Sequence, residues 1–224
     1  MGLAGSTSTI TTNSDNRNKM RSIKSATLLL ALLVFACNKK ADKDAPEIVQ
    51  EKTLPNPAND PAELEKLTKE LYKWNETKSS GTDFDPLQIE KTDTIYKKLD
   101  LKRHKQRIKE LRETNLFASQ FIENYDKIAM AINEKMKNGT FKWATGELPP
   151  FGNGTNPWCA CQDSPDNYWK KITLKNIAFN GNNATYAWTW GDGSAYKAEA
   201  VKEDGVWKIS YLQGFDFNEL AEQK

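Results

Sequence analysis

The spacing of apolar residues changes once along this chain, and that change limits the folds it can adopt. Between residues 60 and 137 apolar side chains recur every three to four positions, the period of an amphipathic helix. Between residues 172 and 212 they alternate with polar residues, the period of a half-buried strand. Helices followed by strands predict an α+β domain in which N-terminal helices pack on a four-stranded, curved antiparallel sheet.

Three amphipathic helices are predicted. The first begins at Asp60, because Asp60 can cap it, Pro61 suits the first helical position and Glu63 completes a capping box. The second covers residues 99–113 and the third residues 119–137. Their inward faces are marked by apolar residues at helical spacing: Leu64, Leu67, Leu71 and Trp74; Leu101, Ile108 and Leu111; Phe121, Tyr125, Ile128, Ile132 and Met136.

Four strands are predicted at residues 172–179, with a bend, and at 184–190, 195–201 and 206–212. The short connections contain Asn-Gly, Gly-Asp-Gly and Asp-Gly, which favour tight hairpin turns. Each strand is therefore expected to pair with the next in an antiparallel meander.

The N-terminal region has the pattern of a secretion signal. Lys19, Arg21 and Lys24 precede an uncharged apolar run at 28–36, which is shorter than the about 20 residues that span a bilayer. Residues 1–19 are polar, so we expect translation to start at Met20. The alternatives to a lipoprotein signal are a signal cleaved without lipidation and a buried hydrophobic segment.

The apolar run ends in Leu-Val-Phe-Ala-Cys at 33–37, which resembles a bacterial lipobox. We expect residues 1–36 to be a leader and Cys37 to be lipidated, anchoring the protein to a membrane of the bacterial cell envelope, periplasmic or surface-exposed. Residues 37–59 would form the lipidated cysteine and a charged, proline-containing tether, and residues 60–224 a single domain.

The charge balance does not favour a nucleic-acid partner. The chain has 32 Lys and Arg against 30 Asp and Glu, but residues 1–37 hold four basic residues and one acidic residue. After Cys37 the balance is 28 against 29, so no basic excess remains in the expected mature protein.

Three segments carry a family resemblance: Leu-Tyr-Lys-Trp at 71–74, Trp-Cys-Ala-Cys-Gln-Asp at 158–163 and Asp-Gly-Val-Trp-Lys-Ile at 204–209. Together they resemble an uncharacterised bacterial lipoprotein family with the nuclear-transport-factor-two-like fold, over roughly residues 60–217. The resemblance implies a cone-shaped sheet around helices with a concave pocket. It implies no activity, because that fold includes isomerases, dehydratases and adaptors.

Alternating aromatic residues form the main candidate for a ligand-binding site. Tyr186, Trp188 and Trp190 share one face of the second strand, and Tyr196 follows on the third. Such rings either build the core against the helices or line a concave surface that binds a sugar, an apolar ligand or a partner's side chain.

Few residues offer catalytic chemistry. Asp163 and Asp166 are weak candidates for a base in an isomerase-like or lyase-like site, and turn capping is the alternative. The single histidine, His104, lies in a run of Lys and Arg and is predicted to be on the surface. We expect neither a metal nor a cofactor.

Cys159 and Cys161 leave four alternatives open: two packed reduced thiols, a disulfide across one residue, a metal or redox site, and an intermolecular bridge. The favoured function is a lipid-anchored binding or interaction module that we expect to be non-catalytic, whose partners are the membrane, through Cys37, and a small ligand or envelope protein. The alternatives are a small-molecule isomerase or lyase and an envelope inhibitor or immunity-type protein.

Overall fold

The computed structural model describes residues 60–79 and 83–221. The expected leader, the lipidated Cys37 and the tether lie outside this part of the chain. Within it, no helix is both long enough and apolar enough to cross a membrane.

The three predicted helices are confirmed, and a short fourth helix follows the sheet: α1 (Asp60–Thr77), α2 (Leu101–Glu113), α3 (Ser119–Lys137) and α4 (Phe217–Ala221). Helix α3 has the predicted bounds. Helix α2 begins two residues later than predicted, because the Asp100 carboxylate accepts hydrogen bonds from the amides of Lys102 and Arg103 at 3.0 and 3.1 Å. This capping interaction sets the start of the helix.

Six strands are described: β1 (Ile95–Tyr96), β2 (Trp143–Ala144), β3 (Thr173–Asn180), β4 (Asn183–Thr189), β5 (Tyr196–Glu203) and β6 (Val206–Leu212). Strands β3 to β6 form an open antiparallel sheet in chain order, which confirms the meander. Strands β1 and β2 pair with each other as a small second sheet that the sequence did not predict.

The expected bend in the first sheet strand is a β-bulge. The pairing of β3 with β4 shifts register between Lys175 and Ala178, where Asn176 has a left-handed backbone with φ of 53°. A second shift lies between Glu199 and Ala200, where β5 pairs with β6. Bulges of this kind increase the local twist and bend of a sheet.

The sheet and the helices are joined at the β6 edge and at the start of α1. The Ala118 amide donates to the Ile209 carbonyl at 2.8 Å, so the segment before α3 covers the edge. At α1, the Asp60 carboxylate accepts hydrogen bonds from Lys202 Nζ at 2.7 Å and Trp207 Nε1 at 3.2 Å. Helices α1 and α3 therefore pack on the sheet, while α2 lies against α3.

Candidate functional site

The structure brings the four predicted aromatic residues together, but in the core. Tyr186, Trp188 and Tyr196 are buried and Trp190 is half-buried. The Trp188 ring lies 4.7 Å from the Tyr196 ring and 4.3 Å from the Tyr72 ring of α1, measured between centroids. These rings therefore build part of the core against the helices, as one of the two alternatives expected. Their role in ligand binding stays a prediction.

A polar contact sits in the same core. The Tyr186 hydroxyl lies 3.0 Å from Thr68 Oγ1, which donates to the Leu64 carbonyl at 2.7 Å. Burial raises the pKa of Tyr186, and the hydrogen bond with Thr68 opposes that shift. The hydroxyl of this core tyrosine is therefore satisfied within the protein.

Asp163 and Asp166 are exposed side chains in the segment between Cys161 and the 3₁₀ turn Tyr168–Lys171. Neither carboxylate lines the cavity described below. The role of either residue as a base stays a prediction.

The surface position predicted for His104 is wrong. This side chain is buried between α2 and α3, where Nε2 lies 2.7 Å from Asp126 Oδ1 and the ring stacks on Tyr125 with centroids 5.6 Å apart. His104, Arg107 and Leu111 follow one another at helical spacing and are all buried. That spacing was the available signal, and the surrounding lysines concealed it.

A cavity of about 640 Å³ lies beside α1 and is built mostly from loops. Its wall combines apolar and polar side chains: Phe84, Pro86, Trp143, Leu148, Pro149, Phe151, Pro157, Trp158 and Leu220, with Asn75, Ser79, Asp83, Asp85, Thr155, Asn156 and Gln162. Cavities of about 300–1,000 Å³ with mainly apolar walls and few polar groups are typical of small-molecule sites.

Asp83 is the most strongly held polar group in this wall. Its side chain is only 7% exposed. Oδ1 accepts hydrogen bonds from Arg107 Nε at 3.0 Å and from the Tyr125 hydroxyl at 2.6 Å, and Oδ2 accepts one from Trp158 Nε1 at 2.6 Å. These donors come from α2, α3 and the loop before the sheet, so one carboxylate ties three distant segments together.

Arg107 supports the wall from behind. Its guanidinium lies over the rings of Trp74 and Trp158, at 5.1 and 5.5 Å from their centroids, and Nη1 donates to Ser79 and Glu110 at 2.7 and 2.9 Å. Burial alone would lower the pKa of Arg107. The nearby carboxylates of Asp83 and Glu110 outweigh that effect, so the pKa of Arg107 is raised. The burial of Arg107 was not predicted from the sequence.

A second carboxylate of the wall is held by the same helix. Arg103 Nη1 lies 2.9 Å from Asp85 Oδ2, one helical turn before Arg107. Among the described lining residues, Asp83 and Asp85 carry the ionisable side chains, and Lys, Arg and His are absent. Both carboxylates are paired with arginines, and the lining amides of Asn75, Asn156 and Gln162 add groups that can donate or accept hydrogen bonds.

Aromatic rings form one corner of the cavity. The Phe151 ring meets the Trp143 ring edge-on, with centroids 5.5 Å apart, and the Phe84 ring at 6.1 Å. Trp143 Nε1 donates to the Glu147 carbonyl at 2.9 Å, which leaves its ring as an apolar surface with a satisfied donor.

Cys159 and Cys161 form a disulfide, with Cα atoms 5.1 Å apart. Cys159 is 2% exposed, whereas Cys161 is half-buried. The flanking chain folds back on itself, because the Asn156 amide donates to the Cys161 carbonyl at 2.7 Å. A crosslink that closes so short a loop restricts the unfolded chain little, so it contributes only about 1.5 kcal/mol to stability in the loop-entropy model.

In the described part of the chain, no group of three or more His, Cys, Asp or Glu side chains is placed to hold a metal ion. Comparisons with protein-family models, with curated proteins and with solved structures found no match to this chain. The site must therefore be interpreted from its own geometry.

Proposed function

We propose that this chain is a lipid-anchored protein of the bacterial cell envelope whose folded domain binds a small ligand in the loop-built cavity without catalysis. The lipobox-like segment ending at Cys37 supports the anchor. The cavity of about 640 Å³ is the observation that carries the binding role.

The arrangement of polar groups favours binding over catalysis. Asp83 already accepts three protein hydrogen bonds, which leaves little capacity to take a proton from a substrate. A general base needs a free lone pair within reach of the substrate. Asp83 is better suited to hold the wall in shape than to react.

The wall suggests the chemistry of the ligand. The apolar lining, which includes Trp143, Phe151 and Leu148, favours a molecule with an apolar face, such as a sugar ring or an aromatic group. The amides of Asn75, Asn156 and Gln162 can both donate and accept hydrogen bonds, and Asp83 and Asp85 are already paired with arginines. We therefore propose an uncharged ligand with polar groups.

We also propose that the domain has the nuclear-transport-factor-two-like cone fold of the lipoprotein family that it resembles. The bulged, open sheet, which α1 and α3 contact and whose strand β4 alternates between buried and exposed residues, supports this assignment. An experimental structure in which the sheet is flat, or its helices cover both faces, would contradict it.

Ligand binding is tested by titrating the purified protein with panels of neutral glycans, aromatic amines and anionic analogues while following tryptophan fluorescence. Leu148 lines the cavity and is 77% exposed, whereas Val206 is 53% exposed and lies outside the cavity lining. Leu148→Ala should weaken binding about tenfold, because the ligand loses an apolar contact with the two methyl groups of Leu148, and Val206→Ala should leave binding unchanged.

Failure of all panels to bind, or equal effects of the two alanine variants, would contradict the proposed cavity. The anchor is tested separately by mass spectrometry of the N-terminal peptide from the native host. We expect acyl chains on Cys37, and an unmodified Cys37 would remove the anchor while leaving the cavity proposal intact.

The other functions remain weaker proposals. An isomerase or lyase using Asp163 or Asp166 would act outside the described cavity, because both carboxylates are exposed and neither lines it. An inhibitor or immunity-type role would require a protein partner, which a pull-down from the source cells would reveal.

A further inference from the structure

We propose that the Cys159–Cys161 disulfide is a thiol–disulfide exchange site that reacts with a dithiol at Cys161. One residue, Ala160, separates the two cysteines, which stand beside Trp158 and Gln162 in the cavity wall. The site therefore lies next to the proposed ligand cavity but does not depend on a ligand being bound there.

The crosslink is poorly suited to a purely stabilising role. It closes a loop of three residues, so it removes little freedom from the unfolded chain. Between the cysteines, Ala160 has a left-handed backbone with φ of 49°, a conformation that is unfavourable for a residue with a Cβ. Reduction would let Ala160 relax to an ordinary backbone conformation.

Exposure gives the reaction a direction. Cys161 is half-buried and accessible from solvent, whereas Cys159 is 2% exposed. An incoming thiolate would attack Cys161 Sγ, break the bond to Cys159 and leave Cys159 as a thiolate that takes up a proton. The second thiol of the reductant then attacks the mixed disulfide, releases Cys161 as a thiol and is itself oxidised to a disulfide.

The residues around the disulfide can accommodate its reduced form. Cys159 Sγ lies 3.7 Å from the Asn156 carbonyl oxygen, so the thiol formed there has an acceptor in place. Trp158 is held independently of the crosslink, because its carbonyl accepts a hydrogen bond from Tyr72 at 2.8 Å and its Nε1 donates to Asp83. Reduction should therefore change the 159–161 segment without unfolding the domain.

The first test uses the full chain carrying Cys37→Ala, so that this pair supplies the only thiols. We expect dithiothreitol to release two thiols under native conditions, counted by mass spectrometry after alkylation, with unchanged far-ultraviolet circular dichroism. Release of thiols only when the domain unfolds would overturn the proposal, because it would make the crosslink a structural staple.

The second test compares Cys159→Ser with Cys161→Ser in the same background. The remaining Cys161 thiol should react with a chromogenic aromatic disulfide at least about tenfold faster than the remaining Cys159 thiol, because access limits the latter. Equal rates or the reverse order would overturn the direction of attack. The first test uses the intact pair, so it decides the question even where a serine variant does not fold.

Discussion

The helix–sheet core and the loop-built cavity use aromatic residues in different ways. In the core, Trp188 and Tyr186 lie on a regular strand and pack against α1, and the Tyr186 hydroxyl contacts Thr68. In the cavity region, Trp158 is fixed by a hydrogen bond to a buried carboxylate and by the stacked Arg107. Regular elements position the first group, and buried polar interactions position the second.

Packing in the core mainly determines the stability of the domain, whereas the buried polar interactions mainly determine the geometry of the cavity. A core of alternating apolar residues gains free energy in proportion to the area removed from water and tolerates small adjustments. A wall tied by one carboxylate depends on each partner being present, because an unpaired buried charge is costly. Substitutions in the two regions should therefore fail in different ways.

The largest effect is expected in the core. Trp188→Ala removes a ring that is 1% exposed and should lower the free energy of unfolding by about 4 kcal/mol, through lost burial and the cavity left behind. Urea unfolding measures it. The exposed Val206→Ala control should stay within about 0.5 kcal/mol, and a loss of similar size in both variants would mean that Trp188 is not a core residue.

The next effect should appear at the cavity. Asp83→Ala removes one of the two carboxylates paired with the buried Arg107 and leaves the Tyr125 and Trp158 donors without their acceptor, so it should cost about 3 kcal/mol. Asp85→Ala is the matched control, because its partner Arg103 is exposed, and its cost should be smaller.

A double variant sharpens the same comparison. Replacing both Asp83 and Arg107 by leucine removes both charges and should recover part of the stability lost in Asp83→Ala. If chemical denaturation shows the double variant to be less stable by the full sum of the losses in Asp83→Leu and in Arg107→Leu, the two side chains do not act as a pair.

A smaller effect is expected where the two regions touch. Gly214, in the turn after β6, approaches Pro157 so closely that an added Cβ would overlap the Pro157 carbonyl oxygen. Gly214→Ala should therefore cost about 2 kcal/mol by forcing the backbones apart. Gly139→Ala meets no atom within 4 Å and should cost about 1 kcal/mol, from its positive φ alone. Thermal unfolding of the two variants tests the order.

The smallest effect concerns pH. The hydrogen bond from Lys202, with that from Trp207, lowers the pKa of Asp60 against the opposing effect of burial. A lowered folded-state pKa gives stability that is present above the unfolded value near 3.9 and is lost as pH falls through the folded value.

Asp60→Asn should therefore reduce stability at neutral pH by less than about 1 kcal/mol, and the gap to the unsubstituted protein should close in acid. Glu70→Gln, in an exposed pair with Lys66, should show a smaller gap at every pH. A gap at Asp60 that persists in acid would mean that the charge of this carboxylate does not matter.

Much of the fold was predictable because the elements are amphipathic. The bounds of α3 and β6 agree with the prediction, and every residue of the predicted apolar stripe of α3 is buried. Wherever one face of a helix or strand packs against the core, the spacing of apolar residues in the sequence predicts which side chains are buried.

The site was less predictable for a physical reason. The contact of Asp83 with Arg107 and Trp158 joins residues that are far apart in the sequence. Because they share no periodicity, no local sequence pattern predicts it. His104 and Arg107 were hidden in a lysine-rich helix, although their spacing to Leu111 placed them on the inward face. The cysteine spacing left four alternatives, and folding of the 156–161 segment selected the disulfide.

By itself the sequence determined the α+β order, the helices and the hairpin meander, because hydrophobic period and turn residues act over a few positions. Only the tertiary structure decided that the aromatic strand faces α1 and that a cavity opens beside Asp83. Those outcomes depend on which distant side chains meet, and long-range packing and ion pairing set them.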